Sequence, residues 1–143
     1  MRHSGARAAG ALIAVPTHLM MMEYPGLTPV DANNSARRLL DALLASPAAA
    51  HFKVLPDPIL YPNYYVVIAR PVCLADMSAR VNSAARYTLA DMVRDVRRML
   101  TNAKRYNMPD SQVYQDALLL EVCAQCRCNR MAALGDLPVH VGL

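Results

Sequence analysis

Tryptophan is absent from these 143 residues, and phenylalanine occurs once, at Phe52. A core must therefore be assembled from Leu, Met, Val and Ala, with seven tyrosines supplying nearly all the aromatic surface. Glycine is also sparse, at five residues, which leaves few sites for tight β-hairpins. The 55% apolar fraction is instead rich in residues that favour helix, so composition alone predicts an all-α domain. No run approaches the roughly 18 consecutive apolar residues of a membrane-spanning helix, and no membrane association is expected.

Several chemistries are missing their parts. The chain holds no Gly-rich phosphate loop, no nucleophile elbow and no His-x-x-x-His pair, so no enzyme activity and no cofactor is expected. Four cysteines invite a disulfide or metal reading. Three of them, Cys123, Cys126 and Cys128, crowd one expected helix, where bridging would close no long loop. A structural zinc would need a fourth ligand from Cys73, His51 or His140, and the usual second pair of ligands is missing. Reduced thiols in an intracellular compartment, serving as small buried or half-buried side chains, are the expectation.

Acids are the scarcer charge: 15 Lys and Arg oppose 11 Asp and Glu, for a net charge of +4. That bias suits an anionic partner without demanding one.

The chain is long enough for one ordinary domain and too short for two. Residues 1–27 carry Arg2 and Arg7, an apolar Ala8–Val15 stretch and no acid before Glu23. They loosely resemble a targeting peptide, but the apolar stretch is short and Pro16 breaks it, so a disordered leader is expected. The folded domain is assigned to residues 28–134, and residues 135–143 form a tail.

Within the domain, Thr28-Pro29-Val30-Asp31 reads as a helix start, with Leu39, Leu40, Leu43 and Leu44 as its apolar face up to about Ala45. Ser46-Pro47 either ends it or restarts another turn through residue 52. Pro56, Pro58, Pro62 and Pro71 then forbid a long helix, while Leu55, Ile59, Leu60, Tyr61, Tyr64 and Tyr65 are too apolar for a polar linker. A long loop packed on the helices is expected.

A second helix from near Pro71 to near Ala84 follows, marked by Leu74, Met77 and Val81. The third, roughly Thr88 to Tyr106, repeats Leu89, Met92, Val93, Val96, Met99, Leu100 and Ala103 at steps of three and four. Its opposite face carries Arg94, Arg97, Arg98, Lys104 and Arg105, balanced in part by Asp91 and Asp95. A solvated face explains that stripe more simply than nucleic-acid phosphates do, although weak non-specific DNA contact remains an option. After the turn at Met108-Pro109-Asp110, Ser111 caps a last helix to about Leu134, with Val113, Ala117, Leu120 and Ala124 inward and Gly135 at the stop.

Taken in order, Phe52-x-x-Leu55-Pro56, Tyr61-Pro62-x-Tyr64-Tyr65-x-x-Ile68-x-x-Pro71, Arg80-Val81, Tyr87, Asp95-Val96, Asn102-Ala103-x-x-Tyr106-Asn107 and Ser111-x-Val113-Tyr114-x-Asp116-Ala117 resemble a bromodomain. The spacing is closest to the bromodomains of polybromo and the remodelling ATPases. The resemblance covers about Thr28 to Leu134. It implies a left-handed four-helix bundle, helices Z, A, B and C, whose ZA and BC loops form an acetyl-lysine pocket at one end.

By that resemblance, Asn107 is the acetyl anchor, its NH2 donating to the acetyl carbonyl while its own carbonyl is held by the protein. Tyr64 reaches the same carbonyl through a water. Phe52, Pro56, Tyr61 and Tyr106 line the slot, and Val113 is the gatekeeper. Read without the resemblance, Asn107 is only a helix C-cap, one of Tyr64 and Tyr65 is a core aromatic, and Val113 is ordinary packing.

Two departures stand out. Ala50-His51-Phe52 replaces the family's Trp-Pro-Phe, which implies a shallow shelf, and Cys73 replaces an acid, which affects the cap of the second helix but not the pocket. The function implied is a nuclear reader of acetylated lysine peptides, histone tails foremost, that recruits or anchors a chromatin complex. The competing class is a helical interaction or nucleic-acid-binding module without acetyl-lysine recognition.

Overall fold

The computed structural model describes residues 29–83 and 85–135. The expected leader, the Thr28 cap and the tail beyond Gly135, with His140, lie outside the described residues. Among the described residues, five α-helices and one 3-10 segment follow in order: α1 Pro29–Leu44, the 3-10 segment Pro47–Phe52, α2 Pro62–Val67, α3 Leu74–Asn82, α4 Leu89–Tyr106 and α5 Gln112–Ala133. No strand occurs among the described residues.

The four longer helices form a bundle in which α1 touches α3, α4 and α5, and α4 packs on α5. Their inward stripes meet in one core that includes Leu39, Leu43, Leu74, Met77, Met92, Val96, Leu100 and Leu120. Every position expected on the inner face of α4 is buried, as are Leu74, Met77 and Val81 of α3. Leu44 departs from the expectation: it is exposed, whereas Leu43 beside it in the same turn is fully buried.

Caps set the helix limits. Thr88 and Asp91 cap α4 reciprocally: the Thr88 hydroxyl oxygen accepts the Asp91 N–H at 3.1 Å, and the Asp91 carboxylate accepts the Thr88 N–H at 2.9 Å. Ser111 Oγ accepts the Tyr114 N–H at 3.2 Å at the start of α5. Gly135, with φ at +79°, ends that helix in the left-handed region that glycine enters without strain.

The second long helix, α3, begins at Leu74 rather than near Pro71, because Cys73 is extended and its N–H is taken by the Asp76 carboxylate at 2.9 Å. The acid that caps this helix is thus three residues inside it rather than at the cap position.

The proline-rich connection is more ordered and less buried than its composition suggests. Pro47 starts the 3-10 segment and Pro62 starts α2, each at a first-turn position where the missing N–H costs nothing. Only Tyr64 and Ile68 of the loop core are buried; Ile59 and Leu60 are 87% and 71% exposed. Polar bonds hold the loop where apolar packing does not. Tyr65 donates its hydroxyl to the Pro56 carbonyl at 2.5 Å, Ala75 N–H reaches the Lys53 carbonyl at 3.0 Å, and Asn102 Nδ2 reaches the Arg70 carbonyl at 2.9 Å.

At the other side of α4, the buried Asp95 carboxylate gathers Tyr87 Oη at 2.8 Å, the guanidinium of Arg80 and, at 3.5 Å, that of Arg98. Burial, and then the bond to Asp95, pushes the Tyr87 phenol well above its ordinary value.

Candidate functional site

A cavity of about 340 Å³ opens at the end of the bundle, where the 3-10 segment and the proline-rich loop meet the C-terminus of α4 and the first turn of α5. All seven residues singled out from the sequence line it: Phe52, Pro56, Tyr61, Tyr64, Tyr106, Asn107 and Val113.

Each is placed by its element. Phe52 is buried at the end of the 3-10 segment. Tyr64, on α2, is buried and meets Tyr106 edge to face, with ring centroids 5.1 Å apart and planes at 79°. That arrangement sets the edge of one ring on the face of the other and stiffens the wall they share. Tyr65 also meets Tyr64 edge to face, with ring centroids 5.2 Å apart, and its hydroxyl is tied to the Pro56 carbonyl. Tyr61 is half exposed at the rim, and Val113 is partly buried against the core.

Asn107 is the C-cap of α4, extended at φ −98° and ψ 151°. Its backbone N–H and its side-chain Nδ2 both donate to the Ala103 carbonyl. The part of the amide held by the protein is therefore the NH2, not the carbonyl expected from the family pattern, because the Ala103 carbonyl one turn back accepts a second hydrogen beside that of the Asn107 backbone N–H. One N–H and the amide oxygen are left for a ligand.

The lining extends beyond the sequence expectation to Leu55, Val72, Cys73, Met99 and Ala103, and to His51. Met99, Ala103 and Asn107 fall at steps of four on one face of α4, a spacing that could have identified the first two. Cys73 corrects the expectation that its replacement leaves the pocket untouched, since it forms part of the wall. Only the fold brings it there, from the far end of the loop.

The lining holds no carboxylate, lysine or arginine. Burial pushes the Tyr64 phenol and the Cys73 thiol upward, and both stay protonated near neutrality. Behind the wall, the buried Asp116 carboxylate on α5 faces His51 Nδ1 at 3.0 Å and accepts Gln112 Nε2 at 2.8 Å.

Among the described residues no three His, Cys, Asp or Glu side chains converge as a metal site, and all four cysteines are free. Cys128 is buried on the core face, one turn after Ala124, whereas Cys123 is half-buried and Cys126 exposed. In the basic stripe, Arg94 pairs with Asp91, Arg98 with Asp95, and Lys104 with Glu121 of α5 at 3.0 Å.

A protein-family model described as Bromodomain matches residues 36–119. The chromatin structure-remodeling complex subunit rsc4 of Schizosaccharomyces pombe is 34% identical over 120 residues, which cover 80% of this chain and 22% of that protein. Histone acetyltransferase GCN5 of Oryza sativa subsp. japonica is 42% identical over 89 residues, 62% of this chain and 17% of that protein. The solved bromodomain of human BAZ1A aligns with a TM-score of 0.65 at 22% identity, over 68% of this chain and 92% of that one, a likeness of fold. The chain spans less than a quarter of the length of these curated relatives.

Proposed function

The chain belongs to the bromodomain family, and from that membership we propose that its cavity binds acetyl-lysine, with histone tails as the substrate class and recruitment or anchoring of a chromatin complex in the nucleus as the outcome. The observation that carries the reading is a carboxylate-free apolar cavity with one amide, that of Asn107, offering a free N–H.

Acetylation turns a hydrated ammonium into a neutral amide with a methyl group. An ammonium entering this cavity would lose its water and meet no carboxylate, which costs several kcal/mol. The acetamide instead brings a carbonyl for the second hydrogen of Asn107 Nδ2 and a methyl for the floor around Phe52. Tyr64, with its phenol kept protonated, is suited to hold a bridging water on the same carbonyl. Tyr61 and Pro56 flank the lysine stem at the mouth, and Val113 limits the opposite side. With one direct anchoring bond and a small ligand, affinity on the order of micromolar or weaker is expected.

No step of this function is catalytic. Chromatin-remodelling and acetyltransferase names among the relatives support the chromatin setting. Weak DNA contact through Arg94, Arg97, Arg98, Lys104 and Arg105 is at most an accessory, since ion pairs already hold three of these side chains.

Acetylated and unacetylated histone-tail peptides titrated against the wild-type chain and Asn107→Ala test the proposal. Binding that requires both acetylation and Asn107 supports it; binding indifferent to both overturns it and leaves the plain interaction module.

A further inference from the structure

His51 occupies the shelf position of the pocket, and its surroundings give it a defined chemistry. The Asp116 carboxylate is satisfied on Oδ1 by Gln112 Nε2, and its Oδ2 faces His51 Nδ1 at 3.0 Å. A carboxylate only accepts, so Nδ1 carries the hydrogen. In the neutral ring Nε2 is then a bare acceptor. Asp116 is buried, whereas the His51 side chain is 47% exposed and lines the cavity, so the pair is open on the ligand side.

The same wall is formed by Ala50, Phe52, Val54, Leu55 and Pro56, none of which has a side-chain acceptor. Two backbone carbonyls of this segment are already engaged, that of Lys53, outside the lining, by the Ala75 N–H and that of Pro56 by the Tyr65 hydroxyl. A peptide N–H brought against this wall must find an acceptor or lose its water uncompensated.

We infer that His51 is a second polar contact of the pocket, its Nε2 accepting a hydrogen from a backbone N–H beside the acetyl-lysine, with Asp116 as the positioning residue that fixes the ring and its tautomer. This rests on the acetyl-lysine reading and adds a specificity element to it: the wall selects peptides that present a free backbone N–H at that point and disfavours proline there.

The test uses the whole chain and calorimetric titration with an acetyl-lysine peptide and two variants of that peptide, N-methylated at the backbone nitrogen on either side of the acetyl-lysine side chain. One methylation should weaken wild-type binding about two- to tenfold, the worth of one hydrogen bond. His51→Phe should weaken the parent peptide by the same factor and leave the affected methylated peptide unchanged, while His51→Gln, which keeps an acceptor, should recover part of the loss. Asp116→Asn, whose amide can donate to Nδ1 and shift the ring proton to Nε2, should mimic His51→Phe with the imidazole still present. His51→Phe acting equally on all three peptides, or on none, overturns the inference while acetylation-dependent binding stands. Loss of acetylation dependence in the wild type would instead overturn the reading beneath it.

Discussion

Asn107 and Ala103 are joined twice, by the backbone N–H and by the side-chain Nδ2 of Asn107, both donating to the Ala103 carbonyl at 3.0 Å. One turn of helix thus fixes both the position of the amide and the direction of its remaining hydrogen. Asn107→Ala is expected to weaken acetyl-lysine peptide binding at least about tenfold, since the ligand carbonyl is left unpaired, while stability falls by only ~1 kcal/mol. Asn107→Asp, which cannot donate, should match it. Calorimetry alongside thermal unfolding checks both numbers; a large stability loss with binding retained would mean that Asn107 is only a helix cap.

Tyr64 combines a structural ring and an exchangeable hydroxyl. Tyr64→Phe keeps the edge-to-face contact with Tyr106 and should leave the melting temperature nearly unchanged, yet weaken peptide binding about two- to tenfold by removing the anchor of the bridging water. Tyr64→Ala should lower both stability and affinity. Equal affinities for wild type and Tyr64→Phe would remove the hydroxyl from the site.

Ala50 is exposed and lines the cavity, at the position where the family resemblance implies a large aromatic. Ala50→Trp therefore adds apolar surface to the mouth without displacing the core. Ligands that stack on such a shelf should gain about 1–2 kcal/mol, by area alone, and bind the wild type poorly. A competition titration with an aromatic acetyl-lysine mimic measures the gain, and no gain would place residue 50 outside the ligand's reach.

Ion pairing along α4 and α5 predicts weak, steeply salt-sensitive attraction to duplex DNA at most. Glu121→Gln frees Lys104 and should raise DNA affinity at low salt, with a steeper fall as salt increases. Fluorescence anisotropy across salt concentrations reads both slopes. Strong wild-type binding that Glu121→Gln does not alter would show that the stripe acts despite its pairs.

Alkaline stability follows from groups that the fold holds protonated. Burial raises the Cys128 thiol above its usual 9.0, and burial with the Asp95 bond raises the Tyr87 phenol above its usual 10.0. Above those values the unfolded chain releases protons that the folded chain keeps, so stability is fully present below about pH 9 and declines as pH rises further. Tyr87→Phe should cost ~1–3 kcal/mol at neutral pH, because Asp95 loses a partner, and flatten the decline above pH 10. Urea unfolding at pH 7 and pH 10.5 tests the sign; a constant difference between the two proteins would exclude Tyr87 as the titrating group.

The sequence by itself determined the four long helices, since periodic Leu, Met and Val faces and local caps such as Thr88, Ser111 and Gly135 act within a turn or two of chain. It also held the seven lining residues, legible only because several short motifs occur in order at compatible spacing. Other features depend on contacts between residues far apart in the chain. Tertiary structure alone decided that Ile59 and Leu60 stay exposed while polar bonds pin the loop, that Cys73 joins the pocket wall, and that Lys104 pairs with Glu121. It also decided which end of the Asn107 amide is held, because that depends on the side chain turning back onto the Ala103 carbonyl. His51 is the clearest case. In the sequence it is a departure from a motif, and only the packing of the 3-10 segment on α5 sets its Nδ1 3.0 Å from the Asp116 carboxylate, 65 residues away, with the residue lining the cavity.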